Sequence, residues 1–120
     1  MATRFYLPYT GAAAVSPAYD AGWEDVTIAA RLKCVTTKIS SVMTTVSFDD
    51  ANDTDRDILF RQYVSDPISA QTIAAQTLKI QMRQLESNTL NNLFLAWAVK
   101  VVSNDGGTVR GTVVAIRRDA

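Results

Sequence analysis

Two apolar runs with a period of two flank a short polar turn near the end of this chain, and they limit its fold more than any other feature. Leu93–Val102 comes first, the turn is Ser103-Asn104-Asp105-Gly106-Gly107, and the second run is Thr108–Ile116. A period of two places alternate side chains on opposite faces of a strand. Asn, Asp and Gly tolerate the positive φ angles that tight hairpins use, so the sequence predicts a β-hairpin with both faces buried.

The rest of the chain fits a sheet. Trp23–Ser47 carries Val26, Ile28, Leu32, Val35, Ile39, Val42 and Val46 among Ser and Thr residues, and reads as two strands closed by Phe48. Asp49–Asp57 holds five aspartates in nine residues and reads as a solvated loop. Ile58–Ser65 resumes as strand, and Asp66-Pro67 breaks it. Residues 68–86 fit two patterns. Ile68, Thr72, Ala75, Leu78, Met82 and Leu85 have helical spacing, with Asp66-Pro67 as a start signal. Thr77–Arg83 instead alternates strictly, with Leu78, Ile80 and Met82 on one side and Lys79, Gln81 and Arg83 on the other. A helix would put Ile80 on its polar side, and the neighbouring strands favour β. The total is six or seven strands, which must bury their apolar faces against another sheet. The predicted class is all-β, an antiparallel β-sandwich.

Residues 1–22 mix Phe5, Tyr6, Tyr9 and Tyr19 with Pro8, Pro17, Gly11 and Gly22. They read as an extended N-terminal arm ahead of one domain spanning 23–120. Either the domain itself or a neighbouring subunit covers the arm's aromatics. Phe5, Tyr6, Tyr9 and Trp23, with Arg117 and Arg118 at the far end, are the candidate interface residues.

Composition narrows the chemistry. The 120 residues contain no histidine, which removes the commonest general base and metal ligand. Glu24 and Glu86 are the only glutamates, and no pattern pairs carboxylates across a substrate. Gly106-Gly107 lacks the lysine of a phosphate loop. An enzyme is not expected, nor is a cofactor. Cys34 is the single cysteine and reads as a buried structural thiol. Twelve basic residues balance twelve acidic ones and are scattered, so no specific nucleic-acid partner is expected. A neutral chain also lacks the self-repulsion that keeps monomers apart. The N-terminus lacks the pattern of a signal peptide, and no segment reaches the ~20 apolar residues of a membrane span. A soluble product with no membrane partner is expected.

Two weaker sites are visible. Asp50, Asp53 and Asp55 form the best calcium candidate, but counting from Asp50 the EF-hand glycine position holds Asp55 and the final glutamate position holds Arg61. Trp23 and Tyr63, with Trp97, are the aromatics that could stack on a sugar. Trp97 shares a face with Leu95 and Val99, which favours a packing role for it. The alternative function is a carbohydrate-binding sandwich, with calcium held by the 49–57 loop and a host surface glycan as the ligand.

Several strings carry a resemblance. Met1–Pro8, Gly11–Tyr19 with Gly22-Trp23-Glu24, Arg61–Ile68 and Val101–Gly111 together resemble a largely uncharacterised group of virion structural proteins from tailed and metagenomic bacteriophages. The likeness spans most of the chain, and its motifs carry no chemistry. It implies a jelly-roll-like sandwich, a location in the virion after synthesis in the host cytoplasm, and partners that are copies of itself and other virion proteins. Members of the group tend to run longer after the hairpin. That implies a sheet that is either shorter here or completed by another subunit.

Overall fold

The computed structural model describes residues 3–8, 11–19, 23, 25–26, 31–39, 45, 47, 49, 54–87 and 93–118. Among them every regular element is a strand. These are β1 (Asp25–Val26), β2 (Arg31–Cys34), β3 (Ile58–Leu59), β4 (Gln62–Ser65), β5 (Ala96–Val102) and β6 (Val109–Arg118). The all-β expectation therefore holds. Most of the second strand expected before Ser47 lies outside the described residues.

The strands form three pairs, β1·β3, β2·β4 and β5·β6. The first two are parallel and only the hairpin is antiparallel. The antiparallel expectation thus applies to β5·β6 alone. Parallel pairing needs a long crossover, and residues 35–61 between β2 and β4 provide one. Alternation along a strand specifies which face is apolar but not the direction of its neighbour.

β2 and β4 form the centre. Leu32 and Cys34 are the buried apolar side chains of the described region. Leu32 pairs with Tyr63 and Cys34 with Ser65, so these four share one face of the pair. The arm lies along the other edge of β2. Tyr6 exchanges both backbone hydrogen bonds with Val35, at 2.7 and 3.1 Å. Ala13 N–H donates to the Arg31 carbonyl at 2.8 Å, and Lys33 N–H donates to the Gly11 carbonyl at 2.9 Å.

Arg31 fixes the arm further. Its Nη2 and Nε donate to the Pro17 carbonyl at 2.9 and 3.2 Å, and Nε also donates to Gln62 Oε1 at 3.0 Å. Its guanidinium lies 3.7 Å from the centroid of the Tyr19 ring. One half-buried side chain thereby joins arm, β2 and β4 through charge-assisted bonds and a cation–π contact.

The hairpin turn is built by local chemistry. Gly106 N–H donates to the Ser103 carbonyl at 2.8 Å, and Ser103 N–H donates to the Thr108 carbonyl at 2.7 Å. Only Gly106 has positive φ here, at 77°, so Asn104 and Asp105 do not take the positive angles expected of them. The geometry fits a type I turn followed by a left-handed glycine. Asp105 Oδ1 accepts from Ser103 Oγ at 2.5 Å and from Gly107 N–H at 3.0 Å. The Ser103 hydroxyl bond, then the Gly107 amide, holds the Asp105 carboxyl below the usual carboxylate range. Gly106 is buried against the arm at Val15 and Pro17.

β6 is not buried on both faces as its pattern predicts. Nine of its ten residues are exposed and Val114 is half-buried. The register slips at three points along the hairpin, so ten residues of β6 face seven of β5. Bulges of this kind break strict alternation and increase twist.

Residues 66–87 form a strap with neither helix nor ladder. The strand expected over Thr77–Arg83 is not formed, since these residues pair in no ladder among the described residues. The strap is tied to the start of the hairpin by Gln84 Nε2 donating to the Leu93 carbonyl at 2.8 Å. Leu93 N–H in turn donates to Glu86 Oε1 at 2.7 Å.

Candidate subunit interface

The strap and hairpin create the main candidate surface. Ile80, Met82, Leu95, Trp97, Arg117 and Arg118 line a shallow groove of about 260 Å³. Ile80 and Met82 lie two apart, so the alternating strap turns one apolar face towards the β5 end of the hairpin. Leu95 and Trp97 meet it from the shared face read in the sequence, and both are half-buried. The groove remains open, with Ile80 and Met82 38% and 47% exposed.

The apolar surface extends beyond the groove. Leu85 is 94% exposed, Phe94 58% and Val109 56%. Leu78, Val113 and Ile116 are exposed as well. An isolated two-stranded hairpin is at best marginally stable in water, so β5·β6 depends on whatever covers it.

One ion pair stands at the groove and a second lies at the other end of the strap. Arg118 Nη2 contacts Asp57 Oδ1 at 2.7 Å, linking the end of β6 to the acidic loop. Lys33 Nζ contacts Asp66 Oδ2 at 2.9 Å and ties β2 to the start of the strap. Both pairs are largely solvent-exposed and are worth little to stability.

The structure places the sequence candidates in separate regions. Arg117 and Arg118 stand together at the groove. Phe5 and Tyr6 lie on the arm beside β2, with Phe5 46% exposed and Tyr6 half-buried. Trp23 is half-buried just before β1. Tyr63 is half-buried on the Leu32 face of β4. Asp55 is exposed in the acidic loop. Tyr9, Asp50 and Asp53 lie outside the described residues. Among those described, no cluster of three or more His, Cys, Asp or Glu could hold a metal, and no helix is long and apolar enough to cross a membrane. Cys34 is buried, and burial pushes its thiol up from the ordinary value.

Sequence reasoning missed two features. Ile80 and Met82 were visible as one face of the strap, but not as a lining for Trp97. Arg31 gave no motif, although an arginine three residues before buried Cys34 and next to buried Leu32 is a signal that its charge meets partners. Comparison with family models, with curated proteins and with solved structures finds no match.

Proposed function

We propose that this chain is a non-enzymatic structural subunit of a phage particle, associated with its head or tail. It acts through contacts with copies of itself and with other virion proteins. In this reading the jelly-roll-like sandwich is completed between subunits, and among the described residues no second sheet pairs with the strap or extends the β5·β6 hairpin. The observation that supports the proposal is the run of exposed apolar side chains on strap and hairpin, Ile80, Met82, Leu85, Phe94, Val109 and Ile116 among them. Zero net charge, the absence of histidine and the resemblance to phage virion proteins point the same way. A glycan-binding role draws no comparable support, since Trp23 and Tyr63 lie on different elements and Tyr63 shares the Leu32 face.

Mass spectrometry of gradient-purified particles from the producing host tests the reading. Peptides of this chain at a fixed stoichiometry to the major virion proteins are expected. Particles that form normally and lack the chain would overturn it.

A further inference from the structure

The strap carries an inference that deepens, and rests on, the subunit reading. Connections longer than about 12–15 residues without structure of their own are uncommon in small domains and are usually functional or disordered. Residues 66–87 form such a segment, with 21 of 22 residues exposed and Glu86 alone half-buried. Thr77-Leu78-Lys79-Ile80-Gln81-Met82-Arg83 nevertheless has the strict alternation of a half-buried strand. Its side chains are arranged for a sheet that its own chain does not provide among the described residues.

The sequence is complementary to itself. We propose that the straps of two copies pair as antiparallel β-strands about a two-fold axis at Ile80, forming an isologous dimer. In that register Ile80 faces Ile80 of the second copy, Leu78 faces Met82, Lys79 faces Gln81 and Thr77 faces Arg83. Apolar residues oppose apolar ones, and no like charges meet. The neighbouring registers fail. A slip of one residue places Ile80 opposite Lys79 or Gln81 and reverses the faces. The two registers that keep the faces place Lys79 on Lys79 or Lys79 on Arg83, and like charges directly opposite destabilise a ladder. Sequence therefore selects one axis.

The self-complementary register commits the strap to a second copy of this chain as its occupant. The Leu78, Ile80 and Met82 face, doubled by the axis, would form a ribbon over both hairpin ends, where Leu95 and Trp97 wait half-covered. A C2 contact of this kind uses the same patch on both subunits and closes without further growth.

Spin-label distances on the full chain test the register without altering an apolar residue. Nitroxides are placed singly at Gln76→Cys, Lys79→Cys, Gln81→Cys and Gln84→Cys, with buried Cys34 as the unreactive internal control. A label at 79, like one at 81, is expected to be broadened strongly by the same position in the second copy, two residues away along the ribbon. Labels at 76 and 84 are expected at equal, longer separations of about 27 Å along the strand, from ~3.4 Å per residue. Ile80→Lys is expected to abolish all of these couplings and to leave hydrogen-exchange protection in the β2·β4 pair, which the strap ribbon does not cover. Short distances at all four positions would mean a parallel ribbon and overturn the proposal. So would the absence of any coupling at millimolar protein. Absence of coupling with the chain still present in particles refutes the strap pairing alone. Coupling with the chain absent from particles refutes the virion assignment and leaves the dimer standing.

Discussion

Gly106→Ala tests whether the hairpin turn and the arm form one packed unit. Gly106 has φ of 77°, and a Cβ there would lie 3.3 Å from the Pro17 nitrogen and 3.3 Å from Val15 Cβ. The left-handed backbone costs an L-residue about 1–2 kcal/mol. The contacts press on arm backbone, which relaxes only by moving the arm, so the total is about 2 kcal/mol, within the range for a strained residue. For a domain of this size that lowers Tm by roughly 6–10 °C. Gly111→Ala is the matched control in the same hairpin, since a Cβ there meets nothing within 4 Å. It is expected to stay within about 0.5 kcal/mol of wild type, as surface substitutions do. Thermal unfolding by circular dichroism reads both variants. Hydrogen exchange adds a local readout, with faster exchange expected at the Tyr6 and Ala13 amides in Gly106→Ala only. Equal Tm values for the two variants, or unchanged arm protection, would refute the packing of arm on turn.

Other perturbations have defined outcomes. Arg31→Met removes the bonds to the Pro17 carbonyl and Gln62 and is expected to cost about 2 kcal/mol, as for hydrogen bonds to charged groups; denaturant unfolding measures it, and a loss under 0.5 kcal/mol contradicts the clamp. Cys34 should resist iodoacetamide at neutral pH until the chain is unfolded, because burial both hides the thiol and disfavours its thiolate. Asp105 has a folded pKa below its unfolded one, so its contribution to stability is present above the unfolded value and fades as pH falls through the folded value. Asp105→Asn should flatten that part of the acid-unfolding profile, and an unchanged profile would remove Asp105 from the account.

What the sequence makes legible follows the range of each interaction. The hairpin is legible because Ser103, Asp105, Gly106 and Gly107 bond within a few residues of one another. The apolar face of Leu78, Ile80 and Met82 is legible because alternation is local. The parallel β2·β4 pair is not, since Leu32 meets Tyr63 across a long crossover and nothing local encodes strand direction. Nor is the clamp at Arg31, whose partners Pro17, Tyr19 and Gln62 come from both sides of the chain. The bulges of β6 also escape a period-two reading, because the extra residues shift the register without interrupting the run of β-branched side chains. The candidate surface is the intermediate case. Its side chains are readable, while nothing local in the sequence says what packs over them.

Sedimentation velocity of the full chain across a concentration series tests the central claim, that the apolar strap and hairpin are covered by another copy. A species of twice the 13.1-kDa chain mass, growing with concentration, is predicted. A single 13.1-kDa species sedimenting as a compact particle up to millimolar protein would contradict it.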